Sequence, residues 1–328
     1  MKKHYLILIL VFCMAITLLF AGCNTKAKTT DITFVLDWTP NTNHTGVYVA
    51  QALGYFEEAG LKVTIAQPPE DGAEMLVATG RAQFGISFQD NMAEILSGDN
   101  KLPITAVATV IQHNTSGIMS RKGEGVTSPK GMEGKQYATW QWSIEQAIIK
   151  NVVEKDGGDY SKITMLPVMV TDEISALKTG TVDCLWIYYA WAGVATQVNN
   201  YEIDYFAFKD INPVFDYYTP VIIANNEYLE NSPETAAKFM EAVSKGYKYA
   251  CENPEKAADI LCEAVPELDI EHVRASQQWL SDKYIDDAPK WGYIDGQRWN
   301  SFYTWLEENQ LIANDIPENA GFTNDFLP

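Results

Sequence analysis

Residues 36–56 read LDWTPNTNHTGVYVAQALGYF and set Asp37, Trp38, Asn41, Asn43 and His44 within eight positions. A carboxylate, an indole, two amides and an imidazole gathered at one point are suited to stacking on a flat polar ring and hydrogen-bonding its edge. Four more short stretches share that makeup: FQDN with Gln89, QHNTS with Gln112, His113 and Asn114, TWQWS with Trp140 and Trp142, and WIYYAW with Trp186, Tyr188, Tyr189 and Trp191. The acids near them are Asp37, Glu145, Asp172 and Glu173. Hydrolysis by acid and base would need two of these to converge in unlike environments, but Glu173 suits the first turn of a helix, where a carboxylate complements the dipole. No Gly-x-Ser-x-Gly elbow, phosphate-cradling glycine loop or Ser/His/Asp arrangement is visible. The residue types therefore point to binding rather than catalysis.

Each stretch follows a run that reads as a strand. From Asp31 the strands ITFVLDW, LKVTIAQ, AQFGISF and LPITAVATVIQ alternate with the helices HTGVYVAQALGYFEEAG, GAEMLVATG and QDNMAEILSG. A glycine-rich, charged segment over 117–135 breaks the rhythm, and a second series begins. Its strands are KQYATW, KITMLPV, VDCLWIYYAW and IDYFAF; its helices are IEQAIIKNVVEKDG, with Ser143 as cap, and TDEISALKTG. The strand TPVIIANNEYL follows, and the chain is then nearly all helical, opening with Ser232 as N-cap and Pro233 at the first helical position. This order predicts an α/β protein of two mostly parallel sheets flanked by helices, with one lobe over 31–117 and 219–328 and a second over 118–218. Ligands of open α/β sheets sit beyond the carboxyl ends of the strands, so the five stretches should face one cleft. Trp186 and Tyr188 alternate along a strand and fit core or cleft equally, whereas Tyr189 and Trp191 fit the cleft better. His113 suits a backbone carbonyl as well as a ligand. Trp279, Trp291, Trp299, Tyr303 and Trp305 have packing spacings, and only Trp291 and Tyr293 sit on a loop that could approach the cleft.

The first 22 residues combine Lys2 and Lys3 with an apolar run and end in Phe20-Ala21-Gly22-Cys23, the layout of a secretory signal. Small residues before a cysteine resemble the lipobox of bacterial lipoproteins, which makes Cys23 the expected lipid-bearing residue and 23–30 a flexible tether outside the membrane. Roughly 300 residues remain, more than one core usually holds. Lys2 and Lys3 leave with the signal and all 43 acidic residues stay, so the mature chain is more acidic than its formal −19. Such a surface repels nucleic acid and anionic lipid. Cys184, Cys251 and Cys262 show no metal spacing, and the histidines form no ligand cluster. Cys251 and Cys262 could pair outside the cytoplasm, though free thiols on neighbouring helices fit the spacing as well. No metal or cofactor is expected.

LDWTPNTNHTGVYVAQALGYFEEAGLKV, AQFGISFQD, VIQHNTSGIMS and TVDCLWIYYAW together resemble the substrate-binding components of ABC importers related to the thiamin-pyrimidine binding protein ThiY, which share a fold with eukaryotic hydroxymethylpyrimidine phosphate synthases. The resemblance runs from about Ile32 to Ala224. It implies a type II periplasmic-binding fold, a monomer, a permease and an ATPase as partners, and a pocket including Trp38, Asn41 and His44 that holds a formylaminopyrimidine or hydroxymethylpyrimidine. An importer protein for riboflavin or another aromatic compound is the alternative, and a synthase a further one; the synthases use pyridoxal phosphate and iron, for which a cofactor lysine and a cysteine-rich motif would be needed. Two positions depart from the family pattern. Trp140-Gln141-Trp142-Ser143 replaces the usual Trp-Gly-Ser-Pro, and Trp191-Ala192-Gly193 replaces Trp-Glu-Gly. The resemblance assigns that glutamate to an aminopyrimidine edge, so Ala192 leaves room for a different cargo, with Trp142 stacking on it and Glu145 compensating.

Overall fold

The computed structural model describes residues 29–69 and 72–328. The expected signal, Cys23 and most of the tether lie outside the described residues. No described helix is long and apolar enough to cross a membrane.

The first series builds β1 (Thr30–Val35), α1 (Thr45–Ala52), β2 (Leu61–Ala66), α2 (Gly72–Ala78), β3 (Phe84–Ser87), α3 (Gln89–Ser97) and β4 (Ile104–Thr109). The second gives β5 (Ser116–Arg121), β6 (Gln136–Thr139), α4 (Ser143–Lys155), β7 (Thr164–Pro167), α5 (Glu173–Thr179), β8 (Cys184–Tyr188), α6 (Val194–Val198) and β9 (Ile203–Ala207). The chain then returns as β10 (Val221–Asn225) and runs into α7 (Asn226–Asn231), α8 (Pro233–Glu252), α9 (Pro254–Ala264), α10 (Ile270–Leu280) and α11 (Gly296–Glu308). Two five-stranded sheets result, ordered β2-β1-β3-β10-β4 and β7-β6-β8-β5-β9.

In each sheet four strands share a direction and one opposes them: β10 is antiparallel to β3 and β4, and β5 is antiparallel to β8 and β9. The exceptions are the two strands that arrive from the other lobe. The like-directed strands end at the cleft, so a chain crossing there must enter the next sheet heading away from it. Both exceptions are central, and every residue of β10 is buried, whereas edge strand β2 buries Leu61 and Val63 and exposes Lys62 and Thr64, the alternation of a half-covered strand.

The long helix expected after the first strand is interrupted. α1 stops at Ala52 because Gly54 adopts a left-handed φ of 78°, and a separate turn, Tyr55–Glu58, follows. α1 and α8 cross where Gly46 faces Gly246; a β-carbon at 246 would run into the Gly46 carbonyl oxygen. Ser143 is the first residue of α4 rather than its cap, the cap position being Trp142, and Ser232 holds the N-cap position of α8 without a side-chain hydrogen bond.

Candidate functional site

Between α2 and α3 of one lobe and the ends of β6 and β8 with α4 of the other lies a cleft of about 370 Å³. Trp140, Trp142 and Trp186 line its second-lobe side. The Trp140 ring lies 5.6 Å from Trp142 and 5.7 Å from Trp186, at tilts of 47° and 49°, so the three indoles form one angled wall. Trp142 is 55% exposed, and this exposed surface borders the cleft. The turn that separates the first two puts Gln141 at φ 67°, a left-handed conformation that favours glycine, which accounts for the glycine expected here in the family pattern.

Glu145 holds this turn. Its oxygens accept from the Tyr137 hydroxyl (2.7 Å), the Thr139 hydroxyl (3.0 Å), Trp140 N–H (3.1 Å) and Trp142 N–H (3.3 Å). Burial and the Glu145 charge push the Tyr137 phenol well above its ordinary value, so the hydroxyl stays a donor. Glu145 borders the cleft, but its bonds go to the protein.

The first lobe contributes three acids absent from the sequence expectations, Glu74, Asp90 and Glu94. Among the described residues Asp90 accepts from Asn91 N–H at 3.2 Å and from the Tyr217 hydroxyl at 3.3 Å, both long. Burial raises its carboxyl from 3.8 to about 6, with Glu74 adding to the rise. Glu74 accepts from Ser87 (2.6 Å) and Asn91 (3.2 Å) through one oxygen. Asp90 directly follows Gln89 in the first turn of α3, a common place for an acid; only the fold shows that the turn opens on the cleft.

The stretch over 37–44 folds into a knot. Asn41 N–H donates to His44 Nδ1 (3.1 Å), so Nε2 carries the ring proton and donates to Asp37 Oδ1 at 2.6 Å. The Asn41 carboxamide accepts from Asn43 N–H and donates to the Thr39 carbonyl, while Tyr247 and Tyr284 hydroxyls donate to the Asn43 and Thr42 carbonyls. Asn41 and His44 are therefore positioning groups. Asp37 Oδ2 makes no hydrogen bond among the described residues, and Trp38 is 49% exposed. Tyr188 joins the knot to the cleft: its ring packs 6.4 Å from Phe88, and its phenol is raised by burial, then by Asp90 and, less, by Asp37.

Several expected residues go elsewhere. Gln89 is fully buried, donating to the Trp299 carbonyl (2.8 Å) and accepting from Tyr218 N–H (2.8 Å). Gln112 donates to the Tyr293 carbonyl, and Asn114 bonds Phe215 and Ser116 backbone. His113 joins two carboxylates, Asp216 at 2.6 Å and Asp287 at 3.2 Å, and the Asp216 bond raises its titration. His113, Asn114 and Tyr189 line a different opening of about 460 Å³ with Trp279, so the five stretches do not share one cleft. His113 and Asn114 are held by Asp216, Asp287 and Phe215, and the WIYYAW stretch is turned by the π-helical segment Tyr189–Gly193 after β8. It swings Tyr189 onto Trp279 (5.5 Å) and Trp191 onto His272 (4.0 Å). The same turn directs Ala192 into a second-lobe cluster with Leu185, Ile187 and Val182. Asp172 caps α5 through Ser175 N–H and Glu173 lies in its first turn. Trp291 is core, stacked 4.4 Å from Tyr247. Cys184, Cys251 and Cys262 are free thiols.

None of the described residues lining the cleft is Ser, Cys, His, Lys or Arg. Stacking and hydrogen bonding are what this wall offers, and its described residues include no hydroxyl, thiol or amine nucleophile.

The chain is similar to the formylaminopyrimidine-binding protein of Halalkalibacterium halodurans, with 28% identity over 94% of this chain and 95% of that one. It is also similar to the 4-amino-5-hydroxymethyl-2-methylpyrimidine phosphate synthase THI13 of Saccharomyces cerevisiae, at 26% over 74% and 73%, and to the riboflavin-binding protein RibY of Chloroflexus aurantiacus, at 20% over 93% and 88%. The alkanesulfonate-binding protein SsuA of Xanthomonas axonopodis pv. citri superposes with a TM-score of 0.68 at 12% identity, covering 90% of this chain and 99% of that one, and with it the two-lobed type II periplasmic-binding fold. A family model matches residues 41–257, from the knot to the third helix after β10, and the chain belongs to the NMT1/THI5-like family.

Proposed function

We propose that this chain is the substrate-binding component of an ABC importer and that its cleft captures a small aromatic nitrogen heterocycle. The observation that carries the reading is the wall of Trp140, Trp142 and Trp186 on a cleft between two lobes. The first cargo to test is a thiamin pyrimidine precursor of the formylaminopyrimidine or hydroxymethylpyrimidine type, which the similarity to the Halalkalibacterium protein supports. In this reading the chain works as a monomer on the outer face of the cell membrane, anchored through Cys23, and hands its cargo to a permease and ATPase. Asp37 and Trp38 would border the cargo from the first-lobe side and Tyr188 from the second, and Trp140 and Trp142 would cover its ring.

Capture proceeds by closure of the lobes. The contacts that would fasten them are on the rim: Ser276 of α10 donates to the Ala190 carbonyl (2.5 Å) and His272 Nε2 to the Trp191 carbonyl (3.0 Å). We read the chain as non-catalytic. Pyridoxal phosphate would need a lysine and a cation for its phosphate, and the cleft offers neither; an iron cluster of cysteines does not fit Cys184, Cys251 and Cys262, which lie on β8, α8 and α9.

The test is thermal shift followed by titration calorimetry of the purified protein with formylaminopyrimidine, hydroxymethylpyrimidine, thiamin and riboflavin. A ligand at 100 times its Kd adds about 2.7 kcal/mol of stability. A shift with a pyrimidine supports the reading, a shift with riboflavin alone moves the cargo to a flavin, and no response to any aromatic heterocycle refutes it.

A further inference from the structure

We propose that the cargo selected by this cleft carries a positive charge, for which Asp90 with Glu74 supplies the counter-charge. The inference rests on the binding reading above and narrows its substrate class. Glu74, Asp90, Glu94 and Glu145 all border the cleft, and no described lining residue is basic. Glu145 is occupied by four donors of its own turn. Asp90 differs from it: its two donors are long, and no Lys, Arg or His among the described residues lies within salt-bridge distance. Glu74 Oε2 makes no hydrogen bond among the described residues. A carboxylate withdrawn from water without a cation or short hydrogen bonds is costly to maintain, and a cationic cargo relieves that cost while an anionic one compounds it.

A second feature points to a ligand independently of the acids. Trp186 borders the cleft, is only 6% exposed, and its indole Nε1–H is buried without a hydrogen-bond partner. A buried donor of this kind calls for an acceptor, such as a ring nitrogen. Indole faces at Trp140 and Trp142 favour a cation over a neutral group of the same size. The cargo class that satisfies all three is an aromatic ring with an unprotonated acceptor nitrogen and a cationic substituent, an amine or a quaternary nitrogen.

The experiment compares four probes by calorimetry at pH 7.5: formylaminopyrimidine, its deformylated primary amine, hydroxymethylpyrimidine phosphate, and benzyltrimethylammonium. The expected result is that the amine binds at least tenfold tighter than the neutral formyl compound, that the phosphate does not bind, and that Asp90→Asn brings amine and formyl affinities together while still binding the formyl compound. Equal or tighter binding of the formyl compound overturns the charge requirement and leaves the heterocycle reading standing. Binding of benzyltrimethylammonium but of neither pyrimidine removes the pyrimidine and keeps the charge. Tight binding of the phosphate overturns the proposal outright.

Discussion

Asp90 should cost the empty protein stability, and Asp90→Asn should recover it in a pH-dependent way. Burial carries the carboxyl from 3.8 to about 6. Below pH 3.8 both folded and unfolded chains hold the proton and nothing is lost. Between there and pH 6 the unfolded chain ionises first, so stability falls as pH rises, and above pH 6 the loss is complete. Two pH units correspond to about 3 kcal/mol; the carboxyl keeps an edge toward the cleft, and water there reduces the expected figure to about 1 to 2 kcal/mol. Asparagine keeps the shape and cannot ionise, so its advantage over the parent should be near zero at pH 4 and reach about 1 to 2 kcal/mol by pH 8. Urea unfolding of both proteins at the two pH values measures this, and the difference between proteins cancels the titrating groups that Asp90 does not influence. A variant no more stable than the parent at pH 8, or one with the same advantage at both pH values, would refute the reasoning.

Glu145→Gln should lower stability by about 2 kcal/mol, because one amide cannot accept from four donors and charge-assisted bonds are lost; urea unfolding reads the loss, and calorimetry should show weaker cargo binding as the Trp140–Trp142 turn loosens. Trp142→Ala should change stability by less than about 0.5 kcal/mol at so exposed a site, yet weaken cargo binding by about three- to tenfold, the measured worth of an aromatic contact. Gly246→Ala should cost about 3 kcal/mol or prevent folding, since the methyl meets the Gly46 carbonyl rather than a movable side chain; thermal unfolding and expression level report it.

What the sequence shows of this molecule divides by the range of the interaction. Strands and helices follow from local periodicity, so their order and approximate bounds are legible from Asp31 onward, and the wall of Trp140 and Trp142 lies where the strand-end rule puts it. Partnerships across the chain are not legible. Gln89 and Asn114 have ligand-binding side chains, but their amides are taken by Trp299, Tyr218 and Phe215 carbonyls or N–H groups, which no local pattern announces. His44 reads as a ligand group until its two nitrogens are seen to be committed to Asn41 and Asp37. The π-helical turn after β8 changes the facing of Tyr189, Trp191 and Ala192 through one added residue of register, and Asp90 looks like any acid opening a helix.

The placement of β10 sets an order of events in time. It fills an interior place in the first sheet, between β3 and the edge strand β4, yet is made after the whole second lobe. The segment that emerges first therefore has a gap in its sheet, with two unpaired strand edges, until residue 221 and the helices beyond it arrive. The second sheet lies within 116–207 and has no such wait. Closing the first sheet requires contacts spanning more than a hundred residues, the kind that slows folding. Pulsed hydrogen exchange during refolding should find β5 to β9 protected before β1 to β4, so that the tryptophan-bearing half of the cleft is complete while the acidic half is still open.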